Sequence, residues 1–261
     1  VTQLGSSAQN FTFPSASSKL ILGPGNIFNG PFTYYGHYIQ LNGSTFNSIA
    51  NITRYGTGND ICTGGNVFNA TTVLRDSSGH SNGFYLANVN GDDFKGDVTF
   101  VQKGTGVSIY PSYNANSTFA KNVTVDGTSV IAFGQNGGKV IFSGTASQSF
   151  YSSSGYTPTV KKMQMDKITG NLSLQTKVVV SDSLILNSGV VSTDSLMYLS
   201  LLDNTVATSG NDSSFISGQL EKIGDDAFTF PIGFSGISNG YNPISISAPS
   251  STSDKFQARY I

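Results

Sequence analysis

The residues from Gly65 to Val125 write one short pattern three times, and that repetition leaves few architectures open. A Phe is followed within a few positions by a β-branched run that carries a Thr: Phe68-Asn-Ala-Thr-Thr-Val, Phe94-Lys-Gly-Asp-Val-Thr-Phe and Phe119-Ala-Lys-Asn-Val-Thr-Val. Two looser copies stand upstream, at Phe28-Asn-Gly-Pro-Phe-Thr and Phe46-Asn-Ser-Ile-Ala-Asn-Ile-Thr. The five Phe residues are spaced 18, 22, 26 and 25 residues apart. A unit of roughly 20–30 residues with so little apolar surface cannot bury its own face, and it folds only by stacking on its copies. The pattern predicts an all-β fold, a parallel β-helix (β-solenoid) with one repeat per coil.

The rest of the chain is read as further coils. Gly25-Asn-Ile-Phe-Asn-Gly30 returns as Gly65-Asn-Val-Phe-Asn-Ala70. Beyond Val125 the Phe signature fades, but short apolar runs continue, among them Met163-Gln-Met165, Leu172-Ser-Leu174, Val178-Val-Val180 and Leu184-Ile-Leu186. Separated by short polar turns, these predict three brief strands per coil. The step from Met163 to Leu184 predicts one coil, and alternation within strands points Leu172, Leu174, Leu184 and Leu186 inward. About nine or ten coils are expected. They make up residues 1–233, looser over 1–64 and regular over 65–227. Pro231 and Gly233 end strand pairing, so residues 234–261 are expected to form a small C-terminal β appendage: a cap, or the start of a following domain.

Composition narrows the function. Only 11% of residues are charged and the net charge is −1, so no basic face exists to track phosphates, and nucleic acid is excluded as a partner. Cys62 is the only cysteine, which rules out an intrachain disulfide and suits a small buried residue. No apolar run approaches the roughly 20 residues of a membrane-spanning helix. No signal-peptide pattern precedes Val1, and the chain is read as a mature or excised segment.

Chemistry-bearing constellations are scarce. His37 and His80 are the only histidines, and neither has metal-ligand spacing. No Gly-x-Ser-x-Gly sits on a strand-to-helix elbow, because no helix is expected. Arg54, Arg75 and Arg259 have no evident carboxylate constellation. The acidic pairs Asp92-Asp93 and Asp225-Asp226 are the candidates for holding calcium. More plainly, each is a turn before a Phe-led strand, and no cofactor is expected. Tyr34, Tyr35 and Tyr38 are expected in exposed loops, where their rings could stack on sugars or staple the loops down. Ice binding would need ranked Thr rows, and Thr72, Thr99 and Thr124 supply one Thr per coil.

Taken together, Asp92-Asp-Phe-Lys-Gly-Asp-Val-Thr-Phe100, Phe133-Gly-Gln-Asn-Gly-Gly-Lys-Val-Ile-Phe142, Ser214-Phe-Ile-Ser-Gly-Gln-Leu-Glu-Lys-Ile-Gly224 and Phe228-Thr-Phe-Pro-Ile-Gly233 carry a resemblance. They resemble the repeat region of large secreted surface proteins of Bacteroidota, adhesin-like or gliding-associated chains exported by the type IX system. No type IX sorting domain is recognised here, in keeping with a fragment. The resemblance implies a cell-surface, extracellular location and a structural or adhesive role, with no enzymatic activity. Its partners would be neighbouring modules or copies at the solenoid ends, and surface glycans or a host substratum. The competing expectation is a carbohydrate-binding or polysaccharide-lyase-like β-helix. Asp182-Ser-Leu184 and Asp194-Ser-Leu196 also resemble the Bacteroidota O-glycosylation signal, which would attach sugar at Ser183 and Ser195 in solvent-facing turns.

Overall fold

The structure, a computed structural model, describes residues 2–13, 15, 18–79, 83–104, 106, 108–237 and 239–260. Each coil contributes one strand to a first face, and eleven such strands pair in chain order from Gln9–Phe13 to Ile232–Gly233. All ten pairings along that face that join consecutive coils are parallel. A second face starts with Ile27–Phe28, Thr45–Phe46, Val67–Phe68, Asp93–Phe94, Ser117–Phe119 and Lys139–Phe142. A third is built from shorter strands, including Asp60–Ile61, Gly83–Tyr85 and Ser108–Tyr110. The molecule is a parallel β-solenoid of about nine turns, with no helix among the described residues. None is therefore long and apolar enough to cross a membrane.

The repeated Phe forms the spine. Phe28 pairs in register with Phe46, Phe46 with Phe68, Phe68 with Phe94, Phe94 with Phe119, and Phe119 with Phe142. Successive ring centroids lie 5.2, 5.0, 4.9, 5.0 and 6.2 Å apart, and the middle pairs are stacked within 8° of parallel. The spacing follows the coil repeat of about 4.8 Å, so one ring per coil makes an offset aromatic stack. The looser upstream copies thus belong to the same column as the clear ones. The Thr row does not hold: Thr72 lies one residue out of step, buried and paired with Val98, while Val73 faces out beside Thr99.

Two positions before each Phe, a second inward column turns the corner between the third and second faces. It reads Ser44, Asn66, Asp92, Ser117, then Val140, Met163 and Leu184, all buried. In the first half this column is polar and bonds the turns of adjacent coils. Asn66 Oδ1 accepts the N–H groups of Gly43 and Ser44, and Asp92 Oδ1 accepts those of Asn66 N and Nδ2. Ser117 Oγ in turn accepts the Asp92 N–H. Such bonds satisfy turn backbone that burial would otherwise strand.

Where the column becomes apolar, the turn disappears. Thr159–Asp166 and Val178–Ser188 run straight through the corner, and the two faces merge into one thirteen-stranded sheet. The expected short strands Val178-Val-Val180 and Leu184-Ile-Leu186 are therefore one strand of 11 residues. Its bend comes from register irregularities against Thr159–Asp166, between Val160 and Lys162, so Ser181 and Asp182 need no turn. Met163 does pair with Leu184, one coil on.

The last coil carries antiparallel strands. Lys255–Ala258 pairs with Leu220–Ile223, and Ile244–Ile246 with Phe228–Phe230. Residues 240–242 bond the final first-face strand through Phe234 N to Gly240 O and Asn242 N to Ile232 O.

Candidate functional site

The charged residues of the first half gather at one inner corner. Arg54 ends the first-face strand Ala50–Arg54, and Asp76 stands in register with it one coil on. Asp60 opens the third-face strand Asp60–Ile61. All three are fully buried. Arg54 Nη1 donates to Asp76 Oδ2 at 2.9 Å, and Nη2 donates to the carbonyls of Gly56 and Gly58. Arg54 Nε lies 3.1 Å from Asp60 Oδ2, a charge contact without hydrogen-bond alignment. Asp60 Oδ2 also accepts the Ile39 N–H, while Asp60 Oδ1 has no hydrogen-bond partner. The expectation that Arg54 lacks carboxylates is thus overturned. Its partners are 22 residues and six residues away in sequence, brought together by the coil.

One cation against two carboxylates leaves a negative excess in a dry interior. Loss of solvent outweighs the pull of Arg54 and pushes Asp60 up to about 6, and burial likewise raises Asp76. Asp92 is the third such group. Burial pushes it to about 6 against the bonds from Asn66, and its Oδ2 has no partner. The Cys62 thiol is buried, accepts the Leu41 N–H, and is raised by the same loss of solvent. It is held as a thiol.

This geometry dismantles the first calcium candidate. Asp92 points into the core column, whereas Asp93, the first residue of the strand Asp93–Phe94, faces outward. Asp93 accepts the Thr118 hydroxyl and pairs with Lys95 at 3.6 Å. Adjacent residues of a strand diverge, so the two carboxylates cannot close on one ion. Asp225 and Asp226 fare differently. With Asp203, one coil earlier, they bring carboxylate oxygens within 4.8 Å of one another. Lys222 Nζ already donates to Asp226 Oδ2 at 2.8 Å, and the Asn204 N–H donates to the same oxygen. The ammonium is the resident cation of this cluster. Beside it, a cleft of about 470 Å³ is lined by Asn204, Thr205, Ser209, Asp226, Phe228 and Thr229. Chelation with EDTA should leave the melting temperature unchanged. A large drop that calcium reverses, and that Asp226→Ala removes, would make the cluster a metal site.

The aromatic candidates separate by the pleat. Tyr34, Tyr35 and Tyr38 lie on strands, Phe32–Gly36 and Tyr38–Leu41, and not in loops. Tyr34 points inward and is 1% exposed; its hydroxyl donates to the Tyr38 carbonyl, and it cannot meet a sugar. Tyr35 points outward, 51% exposed, with its ring 4.7 Å from that of Tyr55. Tyr38 is half-buried. A second aromatic group, Tyr85, Tyr110 and Tyr113, lies on the third face, with Tyr85 and Tyr110 stacked at 4.8 Å. Stacking along the rod occupies the faces of these rings and leaves their edges outward. His37 rests on Tyr55 at 4.4 Å, and His80 falls outside the described residues.

The proposed glycan acceptors also differ from one another. Ser183 is half-buried in the middle of Val178–Ser188, paired with Lys162 and Val206. It is not in a turn. Ser195 is exposed at the tip of a turn held by Asp194, whose Oδ1 accepts the Leu196 and Met197 N–H groups.

A further polar cluster went unread in the sequence. Lys177 Nζ donates to Glu221 Oε1 and to Tyr198 Oη, and Ser200 Oγ donates to Glu221 Oε1 at 2.6 Å. Gln257 on the antiparallel strand donates to Glu221 Oε2 and covers the group. Ser200 and Glu221 are buried, so this quartet fastens Lys255–Ala258 to the last coil.

Three buried carboxyls raised in the same direction give a pH signature. A raised folded-state value favours the protonated fold: its stabilisation is complete below the unfolded value near 4 and lost as pH climbs through about 6. Melting temperature should therefore be higher at pH 5 than at pH 8. Asp92→Asn keeps the acceptor for Asn66 and deletes the charge, so at pH 8 it should stabilise by about 2 kcal/mol and flatten the profile. Destabilisation by Asp92→Asn at pH 8 would contradict this.

No protein-family model matches the chain, and neither a curated protein nor a solved structure is similar to it.

Proposed function

We propose that the chain is a structural and adhesive module of a large bacterial surface protein, a rigid extracellular rod that spaces or displays its neighbours. The observation that carries this is the unbroken Phe28-to-Phe142 column with its flanking parallel ladders, a core shared by every coil it crosses. Bending such a rod opens ring contacts and backbone bonds together, which is why stiffness follows from the stacking. The internal ionic groups are bound to one another or to turn backbone, which suits holding shape. The resemblance to Bacteroidota surface proteins supplies the location and the adhesive role.

The competing role is that of a carbohydrate-binding or carbohydrate-active β-helix, and the cleft beside Asp226 is the feature that favours it. Both are tested on one sample, by a glycan array followed by product analysis of every bound polysaccharide. Retention of a glycan with no chain cleavage is the expected result. Cleavage of a bound polysaccharide would replace the structural role with an enzymatic one.

A further inference from the structure

We propose that two copies of this chain join head to head through the first strand, Gln9–Phe13, so that the first face runs unbroken from one copy into the other. The two ends of the rod are unlike. At the C-terminal end each face is covered: Leu220–Ile223 by Lys255–Ala258, Phe228–Phe230 by Ile244–Ile246, and Ile232–Gly233 by residues 240–242. At the other end Gln9–Phe13 is the outermost strand of its sheet, and among the described residues no strand pairs with its outer edge. Lys19–Leu22 stands in the same position on the third face. On the second face Thr2 bridges to Ile27 and closes part of the edge.

The open strand also lacks the usual guards. Gln-Asn-Phe-Thr-Phe has no charge and no proline, and its register with Phe32–Gly36 is regular over all five residues. Exposed edges are normally blunted by such devices. Its inward rings are half-finished: Phe11 rests on Phe32 at 5.4 Å and Phe13 on Tyr34 at 5.9 Å, yet both remain half-exposed. Each has a core neighbour on one side only.

These facts select a second copy and its orientation. Head-to-tail stacking is closed, because the covered C-terminal end offers no free parallel strand. Two identical edges pair antiparallel about a two-fold axis normal to the sheet. Placing Phe11 on that axis sets it opposite Phe11 of the second copy and sets Gln9 opposite the second copy's Phe13. All inward residues then stay inward and the core columns continue across the join, whereas a slip by one residue would break that match. On the outer surface Asn10 meets the second copy's Thr12. Both are exposed in the single chain. The dimer stands independently of the adhesive role.

Sedimentation of the full chain tests this, with twice the 27.5 kDa chain mass expected as concentration rises. Asn10→Lys combined with Thr12→Lys sets like charges opposite each other twice, and should weaken the dimer by about tenfold or more. The circular dichroism melt at low concentration should not change, since neither side chain enters the core. Asn10→Lys combined with Thr12→Glu sets opposite charges across the same pairs and should restore the dimer. Phe11→Cys should cross-link two chains on oxidation, the native Cys62 being buried. A chain that stays monomeric at every concentration would overturn the proposal. So would a dimer indifferent to the Lys pair, or equal loss with both charge patterns.

Discussion

Arg54→Met is expected to cost about 3–5 kcal/mol, because it leaves two carboxylates buried without their cation. Asp60 and Asp76 both lose the only positive group beside them, and neither can reach water. Coils contact only their neighbours, so damage in a solenoid is local. The loss should appear first as lost hydrogen-exchange protection between Tyr34 and Leu86, ahead of any change in the later coils. Adding Asp60→Asn and Asp76→Asn removes the orphaned charges and should recover most of the loss. If Arg54→Met alone cost less than about 1 kcal/mol, as an exposed pair would, the corner would not be the electrostatic knot described above.

Phe94→Ala is expected to be of similar size, about 3–5 kcal/mol, for a different reason. The Phe94 ring sits between Phe68 at 4.9 Å and Phe119 at 5.0 Å, with Phe100 edge-on at 5.8 Å. Truncation opens a cavity inside a column that has aromatic walls on both sides and cannot collapse without shortening the coil repeat. Phe11→Ala, at the half-exposed end, should cost less. Equal costs at the two positions, measured by denaturant titration of the monomeric form, would refute the view that the enclosed stack is what stabilises the rod.

The spine was legible because a large ring recurs at an almost constant offset and nothing smaller can fill its place. Leu172, Leu174 and Leu186 were legible for a related reason, since alternation alone puts them inside. Arg54 and Asp76 were not read together, though they are 22 residues apart, as are Phe46 and Phe68. Aligning the repeats on Phe would have set one on the other. Tyr34 was misplaced by treating consecutive tyrosines as a loop, when a pleat sends neighbours to opposite sides. The through-running strand Val178–Ser188 was hidden because Ser181-Asp182 looks like a turn, and a bulge needs no turn residues. Asp203 joined Asp225 and Asp226 only once the coil had closed, since no local spacing links them.

The corner column that passes from Ser44, Asn66 and Asp92 to Val140, Met163 and Leu184 gives the two halves of the rod different responses to temperature. Apolar contact loses strength on cooling, whereas directed bonds to turn backbone do not fade in that way. Near freezing, the half that starts at Val140 is the softer one. As the solution warms toward the range where apolar contact is strongest, that half stiffens relative to the other. A single rod of uniform outline thus has a soft end that changes place with the season of its surroundings.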